Sequence, residues 1–207
     1  MLYQKLNVPN LRDIQKEVSE YIVKNSIERP DEKDEYFVQM DYSKFPNLHD
    51  FVFSRAQCEV YETSSCFIPG NTGLKIHIDG LKKDNGKVPS DRMIANQWVM
   101  IIPISNTLDS SNYWFKNEDV ADDKEIIVNR IRPVFPYDFY VSFADPSLKL
   151  EPIGSTVIDK VTFIKSDIYH TCVNNSPNTR TVCTVRFIEE KKIYETPEEL
   201  FKFDDLI

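Results

Sequence analysis

The sequence predicts a mainly β protein whose sheets are antiparallel, arranged as a sandwich or jelly roll. Three observations carry this. From Gln57 onward, short segments rich in β-branched and aromatic residues follow one another. Pro, Gly, Asn, Asp and Ser separate them, the residues that turns require. No helix-length periodic segment alternates with them, and a parallel sheet needs such crossovers.

Two helices come first. Leu11, Ile14, Val18 and Ile22 recur at helical spacing over residues 10–25, with Asn10 as a candidate N-cap. Pro30 to Glu35 is a charged break, and Tyr36–Met40 reads as a short strand. A second helix is expected from Asn47 to Arg55, with Leu48, Phe51 and Val52 facing inward. His49 falls on it with nothing nearby to complete a site, so it reads as a partly buried or surface histidine.

The expected strands are Cys58–Ile68, Leu74–Asp79, Gln97–Ile104, Asn112–Lys116, Glu125–Val134, Phe139–Phe143, Ser155–Asp159, Val161–Lys165, His170–Asn174 and Thr181–Ile188. The apolar run Trp98–Ile104 suits a buried strand and is far too short to span a bilayer. The loop Leu81–Ala95 is polar, contains Asp84-Asn85-Gly86, and directly follows His77-Ile78-Asp79, where a lid over a site would sit. Thr196-Pro197-Glu198-Glu199 predicts a short final helix. Thr196 would cap it, Glu199 would close a capping box, and Leu200, Phe201 and Phe203 would dock it. The whole reads as one domain: residues 1–56 a helical support, 57–189 a jelly-roll core, and 190–207 a C-terminal helix.

Composition narrows the function. A net charge of −8, without a lysine- or arginine-rich block, disfavours general nucleic-acid binding, which depends on clustered cations. Cys58, Cys66, Cys172 and Cys183 form no C-x-x-C pair and no zinc spacing, so they read as small buried thiols suited to a reducing compartment. The start, MLYQKLNVPN, lacks the charged, apolar and small-residue segments of a signal peptide. A cytoplasmic location without membrane contact is the expectation.

The candidate chemistry centres on Lys75-Ile76-His77-Ile78-Asp79-Gly80. Side chains at i and i+2 of a strand share a face, so His77 and Asp79 can converge on one cation. Of the other two histidines, His170 opens a later strand. Two histidines and one carboxylate form the facial triad of non-haem Fe(II), with positions left open. Ten residues beyond His170 stands Arg180, and Arg180, Val182, Thr184 and Arg186 share one strand face. A buried arginine needs a carboxylate, and its planar fork matches one end of a dicarboxylate. The residues alone leave two alternatives open: ligand roles, or a turn cap at Arg180 and a structural ion pair at Arg186.

The order His77-x-Asp79, His170, Arg180 resembles the Fe(II)/2-oxoglutarate-dependent dioxygenases, over roughly Gln57 to Glu189. Phe67-Ile68-Pro69-Gly70 ahead of Leu74–Asp79 is similar to the turn before His-x-Asp in prolyl- and aspartyl-hydroxylase-like members. Phe163-Ile164 before His170, and Val173-Asn174-Asn175 after it, are similar too. The resemblance implies a double-stranded β-helix core. It implies that His77, Asp79 and His170 hold Fe(II) and that Arg180 pairs with the distal carboxylate of 2-oxoglutarate. Arg186 stands where nucleic-acid-repair members carry a second inward arginine, and Thr184 between them offers a hydroxyl.

The implied reaction consumes O2, converts 2-oxoglutarate to succinate and CO2, and hydroxylates a small-molecule or peptidyl substrate. The chain departs from compact members in the long interval between the two histidines, which assigns an insertion to Asn106–Leu150. No tyrosine matches a co-substrate contact; Tyr61, Gln97 and Trp98 are the candidates. Two other readings remain: a nucleic-acid demethylase of the same superfamily, favoured by the Arg180/Arg186 spacing and opposed by the acidic charge, and a non-catalytic jelly-roll binding or structural protein.

Overall fold

A computed structural model describes residues 1–25, 36–79, 95–120, 125–130, 139–188, 195–204 and 206. The first helix, α1 (Leu11–Lys24), buries Ile14 and Val18. The second, α2 (Pro46–Phe53), starts on a proline and buries Leu48, Phe51 and Val52, the expected face. Asn10 does flank α1, but its side chain makes no capping hydrogen bond.

Strands β1 (Tyr3–Leu6), β2 (Tyr36–Gln39), β3 (Glu59–Ile68), β6 (Ala95–Ser105), β11 (Val161–Lys165) and β13 (Arg180–Ile188) form one antiparallel sheet in the order β1-β11-β6-β13-β3-β2. A second antiparallel sheet runs β10-β7-β12-β5-β9-β8. Its strands are β5 (His77–Asp79), β7 (Ser110–Phe115), β8 (Glu125–Arg130), β9 (Phe139–Ala144), β10 (Pro152–Thr156) and β12 (His170–Asn174). The two-residue β4 (Thr72–Gly73) pairs with β12. The chain is thus mainly β with two helices, as the turn-separated segments predict.

Strand periodicity divides the core in two. Trp98, Met100 and Ile102 of β6 and Cys183, Val185 and Phe187 of β13 face α1, α2 and the C-terminal residues Leu200, Phe201 and Phe203. The alternate residues Val99, Ile101 and Val182 meet Trp114 and Cys172 of the second sheet. β6 and β13 therefore serve two apolar layers, which is why the run Trp98–Ile104 is almost continuously hydrophobic. Burial pushes the Cys183 thiol up to about 12, so it stays protonated in its layer. All four cysteines are free thiols.

Two elements differ from expectation. The predicted final helix is only a 3-10 turn over Pro197–Glu199, without a side-chain cap from Thr196. Beyond it Phe201 bridges Ala56, the Lys202 amide donates to the Arg55 carbonyl, the Leu206 amide closes a turn on the Phe203 carbonyl, and Phe201, Phe203 and Leu206 dock one by one. Secondly, β1 forms at a sheet edge where no strand is expected. Its four residues are too few to show a period.

The interval Asn106–Leu150, to which an insertion is assigned, supplies strands of the second sheet. Its strand β7 pairs with β12 and its strand β9 pairs with β5, so it flanks both histidine-bearing strands. The polar loop Leu81–Ala95 lies outside the described residues except for Ala95, which opens β6. Pro30–Glu35 and Ile131–Val134 lie outside them as well. Among the described residues no helix is long and apolar enough to cross a membrane.

Candidate metal and co-substrate site

His77 and His170 are direct cross-strand partners on β5 and β12, and their rings lie 4.5 Å apart. Asp79, two residues along β5, turns to the same face, with Oδ1 4.0 Å from His77 Nε2. The three residues proposed from the sequence therefore come together. His49 does not join them; on α2 it stacks on Phe53 at 4.5 Å and lies beside Asp50.

Both imidazoles are oriented by the backbone behind them. His77 Nδ1 donates to the Lys75 carbonyl at 2.7 Å, and His170 Nδ1 donates to the Ile168 carbonyl at 2.8 Å. A carbonyl only accepts, so each Nδ1 carries a proton, which makes Nε2 the atom of the neutral ring that could serve as a ligand. Burial, followed by the neighbouring His77, lowers the pKa of His170 to about 4, so its imidazole is neutral near pH 7. For Asp79, burial alone would raise the pKa. Arg186, His77 and His170 outweigh it and hold the carboxyl below its ordinary value, as an anion.

Arg186 reaches across from β13 and donates from Nη1 to Asp79 Oδ2 at 2.5 Å. The carboxylate that a buried Arg186 requires is therefore Asp79. Thr184, one position inward on the same face, is held by Ser64: its hydroxyl lies 2.8 Å from Ser64 Oγ and donates to the Ser64 carbonyl at 3.2 Å.

Arg180 has a different environment. It is 2% exposed, yet among the described residues no carboxylate forms an ion pair with it. One long contact, Nη2 to Asn112 Oδ1 at 3.4 Å, is its hydrogen bond, and Nε has no partner. Its charge reaches Cys172: burial raises that thiol's pKa while Arg180 pulls it down. A buried guanidinium facing an amide oxygen and a thiol has the chemistry to receive an anion.

The backbone around Arg180 is fixed by a latch that sequence periodicity does not show. Asn174 Nδ2 donates to the carbonyls of Ile68, Pro69 and Asn178, and its Oδ1 accepts from the Ser176 amide. Asn71, at φ 56°, donates its amide to the Ser176 carbonyl. Gly70 lies so close that a Cβ would collide with the Pro177 carbonyl. The Pro69-Gly70 turn is thereby tied to the turn that delivers Arg180. The signal available in the sequence was Asn174-Asn175-Ser176-Pro177, a turn motif whose partners lie a hundred residues upstream.

Of the candidates for a co-substrate contact, Trp98 is buried in the layer facing the helices, away from the second sheet. The side chains of Tyr61 and Gln97 lie outside the described residues. Asn112 was not anticipated.

The donor set fits a divalent metal in chemistry: two imidazole nitrogens and one carboxylate. Its present spacing is wider than a loaded site. Donors at about 2.1 Å from an octahedral cation stand about 3 Å apart, against 4.0 Å between His77 Nε2 and Asp79 Oδ1. As the side chains stand, no group of three or more His, Cys, Asp or Glu among the described residues could hold a metal ion.

No protein-family model matches the chain, and no curated protein matches it in sequence. Solved structures do. One is the non-heme alpha-ketoglutarate-dependent carbocyclase SnoK from nogalamycin biosynthesis, with a TM-score of 0.50 and 12% identity over 90% of this chain and 79% of that one. Another is a prolyl-4-hydroxylase from Pseudomonas putida, with a TM-score of 0.45 and 11% identity over 91% of each chain. At such identity the likeness to SnoK is one of fold: this chain has the same general β architecture as a non-heme, alpha-ketoglutarate-dependent enzyme.

Proposed function

We propose that this chain is an Fe(II)- and 2-oxoglutarate-dependent oxygenase on a double-stranded β-helix core, hydroxylating a small molecule or a peptide side chain. The observation that carries the reading is Arg180, a buried cation with no carboxylate among the described residues, on the same inward strand face that reaches the His77–Asp79–His170 cluster. A dicarboxylate bound with one end on Arg180 and the other at the cluster satisfies both.

His77 and His170 would hold the metal through Nε2 and Asp79 through Oδ1. The bound metal and co-substrate together supply oxygen activation, with 2-oxoglutarate oxidised to succinate and CO2. The chain's own part is geometry and exclusion of water. The carbonyls of Lys75 and Ile168 keep both imidazoles aimed and in one tautomer. Arg180 would anchor the distal carboxylate, with Asn112 steadying the guanidinium. Trp114, Val182 and Cys172 form an apolar wall, in which that charge pair is strong. Thr184 braces β13 against β3 through Ser64.

Asp79 accounts for Arg186 without a nucleic-acid phosphate, and the net charge of −8 opposes one. This favours hydroxylation over demethylation of nucleic acid. The three candidate ligands lie together but not within metal reach as the side chains stand, so the buried Arg180 is what favours an enzyme over a structural jelly roll. The deciding experiment is anaerobic addition of Fe(II) and 2-oxoglutarate to the metal-free chain. A weak visible charge-transfer band, followed by succinate on admission of O2, is the expected result. Neither band nor succinate across a panel of substrates would sink the proposal.

A further inference from the structure

We propose that Arg186 is a positioning residue: it is the resident counter-ion of Asp79, holding Oδ2 so that the site stays built without metal and Oδ1 alone is offered to one. This rests on the reading of the cluster as a metal centre. Asp79 is 5% exposed, and a carboxylate that far from water must be compensated. In a loaded site the metal would compensate it. In the metal-free chain Arg186 does so, from the opposite sheet.

The backbone is shaped for this contact. The register of β13 shifts between Arg186 and Phe187 against β3, and between Val185 and Phe187 against β6. A bulge bends a strand and re-aims the side chain beside it, and here it falls at Arg186. The remaining oxygen, Oδ1, is the one turned towards His77 Nε2. Guanidinium and metal would then share one carboxylate, each weakening the hold of the other.

The test compares the full-length, metal-free wild type with Arg186→Met in thermal melts with and without Co(II), alongside titration of the Co(II) visible spectrum. Without metal, Arg186→Met is expected to melt roughly 10 °C lower, because it strands Asp79. Co(II) then replaces the missing cation. Its stabilising shift in the variant should exceed that in the wild type by at least about 5 °C, with tighter Co(II) binding by spectral titration.

Equal Co(II) shifts in the two proteins overturn the inference and leave the metal-centre reading standing, since a merely structural ion pair lowers both melts alike. No Co(II) response in either protein overturns both. If Arg186→Met yields no folded protein, Arg186→Lys is read in the same way. It keeps a charge but lacks the fork, so a larger Co(II) shift than wild type supports the inference and an equal one overturns it.

Discussion

Arg180 and Arg186 make a controlled comparison within one strand. Both lie on the inward face of β13 and both are buried, at 2% and 7% exposure. Arg186 meets a carboxylate built into the protein, Asp79, at 2.5 Å. Arg180 meets an amide oxygen at 3.4 Å and, among the described residues, no carboxylate. Burial charges both residues the same desolvation penalty, and only Arg186 recovers it internally. On the proposed reading, Arg186 belongs to the framework and Arg180 is the one that would take a ligand.

The largest expected effect tests the paired end. Arg186→Met should lower the unfolding free energy of the metal-free chain by about 3–5 kcal/mol, because it leaves Asp79 buried and uncompensated. Combining it with Asp79→Asn should recover most of that loss, since both charges then go together. Urea unfolding of the wild type, the single variants and the double variant measures the coupling. A loss below about 1 kcal/mol, the range of exposed pairs, would erase the contrast between the two arginines.

The next effect is on pH dependence at the same end. His170 has a folded pKa of about 4 against an ordinary 6.5, from burial first and His77 second, with Arg186 adding in the same direction. Between those values the unfolded chain binds more protons, so stability should rise with pH across pH 4 to 6.5 and be complete above it. The difference corresponds to about 3 kcal/mol lost on acidification through that window. Asp79, with its lowered pKa, contributes stability that goes only below about pH 4. Urea unfolding at pH 7 and pH 4.5 should therefore show a loss that His170→Asn largely abolishes. Equal losses in both proteins would place the titrating group elsewhere.

These contrasts also mark what the sequence makes legible. His77, Asp79 and both arginines can be placed because strand periodicity alone assigns side chains to faces. The need of a buried arginine for a carboxylate is legible too. Which arginine takes Asp79 is not, because that depends on how two sheets stack and where β13 bulges. The interval 106–150 reads as an insertion because spacing shows only length; its pairing to β12 and β5 is a long-range choice. The C-terminal capping signals are present, yet the docking of Phe201 and Phe203 overrides local helix preference.

A smaller effect concerns the latch that positions Arg180. Gly70→Ala places a methyl against the Pro177 carbonyl, backbone that cannot move without breaking the Asn174 hub. Overpacking of this kind costs about 1–3 kcal/mol. Its functional consequence should be local. Stabilisation by 2-oxoglutarate in thermal melts should fall, while stabilisation by Co(II), at the far end of β13, should persist. Equal loss of both would show that the two ends do not behave independently.

The smallest stability effect belongs to Arg180 itself, and it is the most telling. Replacing a buried pair member usually destabilises because its partner is stranded. Arg180 strands no carboxylate among the described residues, so Arg180→Met should change stability by no more than about 1 kcal/mol, in either direction. The same substitution should abolish the melting shift produced by 2-oxoglutarate while leaving the Co(II) shift intact. Arg180→Lys separates charge from shape: a point charge without the fork should retain only weak binding, shown by a right-shifted 2-oxoglutarate titration. A loss of stability as large as that of Arg186→Met would mean that Arg180 already has a counter-ion within the chain, and with it the argument for an external anion would go.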